Sequence, residues 1–140
     1  MSEKFKILTQ FVKDMSSETP DVETYLYVKE YLKNYNLNID ITTKPLKNRM
    51  IEVNTKLNYI DKGKSKNKSH FEITYASIIK IDEQIKDRKI IEKIILCDVQ
   101  KEIYPNLEKV FINLLSNSGF PGIKFEKKVD FEQLYNQRLN

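Results

Sequence analysis

The spacing of the apolar residues changes near Asp82, and this change limits the folds open to the chain. Before Asp82, apolar residues alternate with polar ones, as in residues 37–41 and 51–59. A two-residue period is typical of strands with one buried face. After Asp82, the spacing becomes three and four residues, which indicates amphipathic helices. Strands first and helices last predict an α+β fold, a four-stranded antiparallel sheet packed with a long kinked helix and a short C-terminal helix.

The four predicted strands differ in how clearly they are marked. The first runs over Phe5–Asp14 and alternates loosely on both faces, as a strand covered on both sides would. Because Pro20 lacks a donor and restrains the residue before it, Ser16–Asp21 is predicted as a loop or as the exit from the strand. The second and third strands are centred on residues 37–41 and 51–59, and the fourth begins at Phe71. Because the connections between successive strands are short, an antiparallel meander is favoured.

The segment Asp21–Asn34 fits two structures. Its apolar spacing suits a short helix that Asp21 would cap, whereas its tyrosines also favour extended structure. Both possibilities stay open from the sequence.

The helical part of the chain contains residues that are expected to interrupt or end its helices. The first stripe runs from Asp82 to Ile103, and Pro105 is expected to interrupt or kink it. The stripe resumes over residues 107–115 and ends near Gly119, which suits a left-handed C-terminal cap. A last helix is predicted over Asp130–Arg138.

Length and the lone cysteine limit the organisation of the protein. A chain of 140 residues predicts a single domain, 1–140. Cys97 cannot form an intrachain disulfide, which fits a protein of a reducing compartment. Because Cys97 follows three apolar residues, its side chain is predicted to be buried. The N-terminus has no long apolar run behind a basic start, and no stretch approaches a membrane span. These features predict a cytoplasmic protein.

No pattern in the sequence indicates catalysis, a metal site or a cofactor. His70 is the only histidine, and together with Cys97 it falls short of the ligands that a structural zinc site needs. A catalytic triad would also depend on His70, which a flexible turn precedes. The glycines are too scattered for a phosphate-binding loop. We therefore expect no enzyme activity, no metal and no cofactor.

Charge is unevenly distributed along the chain. Residues 61–69 carry a net +3 of the total +4, through Lys62, Lys64, Lys66 and Lys68, and are predicted to form a solvated turn. A local acidic patch lies elsewhere, in Asp14, Glu18, Asp21 and Glu23. Such a patch could equally be a solvated strand end or a docking site for a basic partner.

Four blocks of the sequence resemble one known family. FVKDMSSETPD (residues 11–21), FEITYASI (71–78), IYPNLEKVFINLLSNSGFP (103–121) and VDFEQLY (129–135) are similar, in order and spacing, to motifs of the SecB protein-export chaperones. The resemblance implies the same α+β fold, assembled as a homotetramer that is a dimer of dimers. It also implies an ATP-independent holdase that binds non-native precursor proteins and delivers them to the SecA motor. Contact with the membrane would then be indirect, through the translocase.

The resemblance also implies site residues. An acidic sheet face in the family docks SecA, which implies Asp14, Glu18 and Glu72 here. By analogy with the groove walls of the family, the candidate client-binding residues are Tyr25, Tyr27, Tyr31, Phe131, Leu134 and Tyr135.

Two alternatives remain open at this point. A SecB-like chaperone dedicated to an antitoxin would share these motifs. A small basic nucleic-acid-binding module would use the lysine-rich turn and aromatic residues on an open sheet face. The alternating aliphatic residues of the strands fit a covered sheet better, so we expect no nucleic-acid partner.

Overall fold

The computed structural model describes residues 4–63, 66–125 and 128–138; Lys64 of the predicted lysine-rich turn lies outside them. Four strands form the sheet: β1 (Phe5–Glu18), β2 (Tyr35–Pro45), β3 (Met50–Asp61) and β4 (His70–Ile81). The helices are α1 (Val22–Tyr31), α2 (Arg88–Lys93), α3 (Val99–Asn117) and α4 (Phe131–Arg138). The predicted α+β fold is confirmed.

The sheet is antiparallel throughout, with the strand order β1-β4-β3-β2. The last three strands form the predicted meander, whereas β1 lies beside β4 at the far edge. In β3 the alternation is regular, with Val53, Thr55, Leu57 and Tyr59 buried against the helices. The even-numbered residues of β3 therefore lie on the outer face of the sheet, which we define as the face turned away from α3.

Two predictions about β1 were wrong. The strand does not end at Asp14 but continues to Glu18, because residues 16–18 pair with residues 70–72 of β4. It is also not covered on both sides, since it is an edge strand on which Leu8, Phe11, Val12 and Met15 are at least 40% exposed. Register shifts at Leu8 and Lys13 interrupt the alternation of its side chains between the two faces of the sheet. Each bulge moves the following side chains to the other face.

The segment after Pro20 is helical, which settles the open question in the sequence. Asp21 is the N-cap of α1, and its carboxylate accepts a 2.7 Å hydrogen bond from the backbone N–H of Thr24. This bond lowers the pKa of Asp21, as expected for a carboxylate that caps a helix. Val28 is fully buried on the inner side of α1 and ties the helix to the core.

The long helical stretch begins later than predicted. Asp82 accepts a hydrogen bond from the N–H of Gln84 in a turn, and the helix starts at Arg88 after Asp87, whose carboxylate accepts from Lys89 N–H. Helix α3 then runs through Pro105 without a break. The irregular part is instead a π-helical segment, Ile94–Asp98, which joins α2 to α3.

A buried polar side chain fixes this π segment to the sheet. Gln100 is fully buried, and its amide oxygen accepts a 3.0 Å bond from the hydroxyl of Thr55 on β3. Its amide nitrogen donates to the carbonyl of Ile95 at 3.3 Å. The bonds satisfy a group that would be costly to bury alone.

The core lies between the inner sheet face and the helical stripe. Leu107, Phe111 and Leu115 of α3 are fully buried, as the periodicity predicts. Cys97 is buried too, which confirms the prediction; burial raises the pKa of its thiol. Helix α4 closes one end of this core with Phe131, whose ring lies 5.4 Å from that of Tyr104.

Gly119 ends α3 as predicted. Its φ is +100°, in the region that favours glycine, and Phe120 N–H bonds the carbonyl of Leu115 at 3.0 Å. The site is also crowded, because a Cβ at Gly119 would lie 2.6 Å from a ring carbon of Tyr25. Glycine is therefore required here by both conformation and space.

Candidate functional site

The outer face of the sheet brings together the three predicted acidic residues. Ser16 of β1 pairs with Glu72 of β4, and Asp14 and Glu18 lie on either side of Ser16 on the same face. Diagonal neighbours on adjacent strands are about 7–8 Å apart. The three carboxylates therefore share one surface, which we call the acidic face (Asp14, Glu18 and Glu72).

Glu72 has two basic neighbours on this face. Its carboxylate lies 2.6 Å from the ammonium of Lys56 on β3 and 3.6 Å from the ring of His70. The hydrogen bond from Lys56 is the main reason why the pKa of Glu72 is lowered. The same hydrogen bond to Glu72 is the main reason why the pKa of Lys56 is raised, with smaller contributions from the charges of Asp40 and Asp14. Glu72 is thus a partly neutralised charge, whereas Asp14 and Glu18 are exposed.

Lys56 is a member of this face that was not predicted. The alternation over residues 51–59 does place Lys56 opposite the buried side chains. Its approach to Glu72, however, depends on the register in which Lys56 pairs with Thr74. That register is a tertiary property and has no local signal in either strand.

The other residues of the predicted acidic patch serve the fold. Asp21 caps α1, and Glu23 lies in the first turn of that helix, where a carboxylate complements the helix dipole. Lys13 forms a salt bridge with Glu52 on the outer face, with 2.6 Å between its ammonium and the carboxylate. The four acidic residues that form a patch in the sequence therefore do not form one patch in the structure.

Substitution of Lys56 with glutamine is expected to raise the pKa of Glu72 towards its ordinary value, because the main stabilising partner of the carboxylate is lost. In the parent protein the lowered pKa contributes stability that is present above the unfolded-state pKa and is lost as pH falls through the folded-state value. An NMR titration of the Glu72 carboxyl carbon measures the change. Lys13→Gln is the matched control, since Lys13 pairs with Glu52 and should leave Glu72 unchanged. An unaltered Glu72 titration in Lys56→Gln would contradict the assignment.

A groove follows the free edge of β2 on the helical side of the sheet. It consists of three hollows of about 930, 370 and 520 Å³. The first and second hollows share Ile39 and Leu134, and the second and third share Ile41 and Leu96. We call this continuous feature the β2 groove.

The predicted client-binding residues of α4 lie at the β2 groove but are not equally exposed. Leu134 is 42% exposed and lines two of the hollows. Phe131 and Tyr135 border the second hollow, yet they are 4% and 8% exposed and belong to the core. Leu134 is thus the residue of this set that offers apolar surface to a ligand.

The predicted tyrosines of α1 lie elsewhere. The hydroxyl of Tyr25 donates a 2.7 Å bond to the carbonyl of Gly119, and its ring packs 5.2 Å from that of Phe120. Tyr27 and Tyr31 are half-buried and contact each other, with 4.6 Å between ring centroids. These three side chains are not among the described residues that line the β2 groove.

Comparison with known proteins identifies the family. The family described as "Preprotein translocase subunit SecB" matches residues 1–140. A protein of Pelagibacter ubique named "Putative protein-export protein SecB" is 58% identical over 140 residues, which cover 100% of both chains. The chain belongs to the SecB family. It is therefore a SecB-type chaperone for protein export.

More distant SecB relatives agree with this assignment. The protein-export protein SecB of Parvibaculum lavamentivorans is 25% identical over 135 residues, covering 96% of this chain and 79% of the relative. A solved SecB-like chaperone of Mycobacterium tuberculosis, in complex with a peptide from an antitoxin, superimposes with a TM-score of 0.66. That match covers 90% of this chain and 88% of the other at 10% identity, so it supports the fold alone.

Among the described side chains, no group of three or more His, Cys, Asp or Glu residues could hold a metal ion. Within the same residues, no helix combines the length and apolar character needed to cross a membrane.

Proposed function

We propose that this protein is an ATP-independent holdase that keeps precursor proteins unfolded and delivers them to SecA. It would act without catalysis of its own, in the cytoplasm and as one domain, and would meet the membrane only through the translocase. The observation that carries the proposal is the SecB family match over all 140 residues, together with the acidic face that this fold assembles.

The acidic face supports SecA docking through its local charge. The chain as a whole is net positive at +4, so attraction of a basic partner must come from a local surface. Exposed charges act over about 8–10 Å at physiological salt. Asp14 and Glu18 are about 13 Å apart along β1, but each lies within this range of Glu72, which pairs with the residue midway between them.

Exposed apolar residues on β1 support the proposed homotetramer. Leu8, Phe11, Val12 and Met15 all lie on this edge strand and are 40–50% exposed. A long apolar edge strand that stays uncovered invites pairing with another chain. We therefore propose that β1 contributes to the contact between two copies within the dimer of dimers.

Client holding is proposed for the β2 groove. Its apolar lining can bury segments of an unfolded chain at roughly 25 cal/mol per Å². Of the six candidate residues, Leu134 is placed best for this role. Phe131 and Tyr135 would support the groove wall from within the core, and the tyrosines of α1 would contribute a separate surface.

Export is favoured over the two alternatives. Tyr59, Phe71 and Tyr75 face the helices and are buried, which removes the exposed aromatic platform that a nucleic-acid-binding sheet uses. The relative at 58% identity carries a protein-export name, which favours export over a role dedicated to an antitoxin.

The double substitution Asp14→Lys/Glu18→Lys is expected to weaken SecA binding at least about tenfold, because it places like charges against a basic partner. Client holding should be unchanged, since both residues lie on the outer face and the β2 groove lies on the other side of the sheet. Titration with purified SecA measures the first effect, and suppression of aggregation of an unfolded precursor measures the second.

Glu30→Lys/Glu83→Lys is the matched control, because it makes the same change of charge at exposed positions away from the acidic face. It should leave both activities intact. Undiminished SecA affinity of the Asp14/Glu18 variant would refute the docking assignment, and an absence of holding in the parent protein would refute the holdase assignment.

A further inference from the structure

The β2 groove has an apolar floor along its whole length. Leu37, Ile39 and Ile41 of β2 project into it from the sheet, and they are only half-buried by the described residues. Opposite them, Leu134 of α4 and Leu96 of the π segment form the other wall. A chain segment lying in the groove would therefore meet apolar side chains on both sides.

Charge is not distributed evenly along this groove. At the Tyr35 end, the described lining residues include Lys33, Lys124 and Lys128, and among them Asp130 carries a carboxylate. The middle hollow includes the carboxylate of Asp40, and at the other end Arg88 is balanced by Glu92. The groove is thus basic at one end and balanced at the other.

The three lysines of the basic end are available to a ligand. Each is exposed, and none forms a salt bridge with another residue of the described ranges. The polar lining also includes the uncharged amides of Asn36, Asn38, Gln133 and Gln137. Of the described residues that line this end, Asp130 is the one whose carboxylate could compete with an arriving carboxylate for these ammonium groups.

We propose that the β2 groove selects extended client segments in which acidic residues adjoin one end of an apolar or aromatic stretch. The apolar stretch lies along Leu37, Ile39 and Leu134, and the acidic residues lie against Lys33, Lys124 and Lys128. The inference rests on the proposed holdase function and adds to it a preference among clients. It follows from the local charge at one end of the groove, which differs in sign from the acidic face on the outer side of the sheet.

The size of the preference follows from the exposure of the lysines. Exposed ion pairs are individually weak and are screened by salt. A client segment that forms two such ion pairs should bind about fivefold more tightly than a segment with uncharged residues at the same positions. The preference should decline at high salt, whereas the apolar contribution should persist.

The experiment uses the full-length protein and three fluorescent peptides with one apolar core, flanked by glutamates, by glutamines or by lysines. Fluorescence anisotropy at low and high salt gives the dissociation constants. At low salt we expect the glutamate peptide to bind about fivefold more tightly than the glutamine peptide, and the lysine peptide to bind more weakly than both. At high salt the three constants should converge.

Two variants locate the effect. Lys33→Gln/Lys124→Gln/Lys128→Gln should remove the preference, and the corresponding triple substitution by glutamate should reverse it. Lys47→Glu/Lys80→Glu/Lys86→Glu is the matched control, because it changes the total charge equally at exposed lysines outside the groove lining and should keep the original order. Circular dichroism establishes that each variant is folded.

The outcomes separate this inference from the proposed function. Equal binding of all three peptides at low salt would overturn the charge preference and leave the holdase function standing. A preference that the control variant also loses would overturn its assignment to the groove. If no peptide binds to the parent protein, the holdase function fails and the inference fails with it.

Discussion

Replacement of Gly119 with alanine is expected to lower the free energy of unfolding by about 2–4 kcal/mol, through backbone strain and overpacking together. A residue with a side chain is strained at the φ of +100° found here, and the new Cβ would lie 2.6 Å from the ring of Tyr25. The ring cannot move away easily, since its hydroxyl is bonded to the carbonyl of Gly119 and its face packs on Phe120. Urea unfolding measures the change at a fixed protein concentration.

Gly122→Ala separates the two causes. Gly122 also has a positive φ, +80°, but a Cβ there would have no atom within 4 Å. This variant should therefore show only the backbone cost, about 1–2 kcal/mol. Equal destabilisation by the two substitutions would show that the contact with Tyr25 adds nothing.

The second large effect is expected from Phe131→Ala, which should destabilise the protein by about 3–5 kcal/mol. Phe131 is 4% exposed and packs against Tyr104, and its carbonyl accepts a hydrogen bond from the Cys97 thiol. Truncation of the ring would leave a cavity between α4 and the long helix. Loss of client holding in this variant would therefore follow from loss of structure.

Leu134→Ala is the matched variant on the same helix. Because Leu134 is 42% exposed, its truncation should change stability by no more than about 0.5 kcal/mol. It should nevertheless weaken the suppression of precursor aggregation, since Leu134 lines two hollows of the β2 groove. Unfolding curves and aggregation assays on both variants test this division. Full holding activity in Leu134→Ala would contradict its role in the groove.

The order of strands and helices could be predicted because it depends on local periodicity. The burial of Val53 and Leu57, the helical stripe through Phe111 and the cap at Gly119 all follow from neighbours in the sequence. The end of β1 could not be predicted in this way. Ser16–Glu18 contain no apolar residue, and they are a strand because residues 70–72 supply hydrogen-bond partners from a distant part of the chain.

The candidate site was predictable to a smaller extent. The positions of Asp14, Glu18 and Glu72 came from the family resemblance, and the strand pairing places them on one face. The salt bridge of Glu72 to Lys56 depends on strand register. The β2 groove depends on separate segments of the chain, including residues 124–125 and 128–134, whose packing no local pattern in the sequence describes.

The π segment has a consequence for the deletions that the far end of the β2 groove could tolerate during evolution. Hydrogen bonds of a π-helix span five residues, whereas those of an α-helix span four, so a π-helical turn holds one additional residue. Loss of one residue within Ile94–Asp98 would therefore give a continuous α-helix and leave Arg88 and Ile91 facing the third hollow. Gln100 would still hold α3 to Thr55. A single codon deletion is thus tolerated here at little cost to the groove, whereas one in the regular turns of α3 would rotate one part of that helix relative to the other.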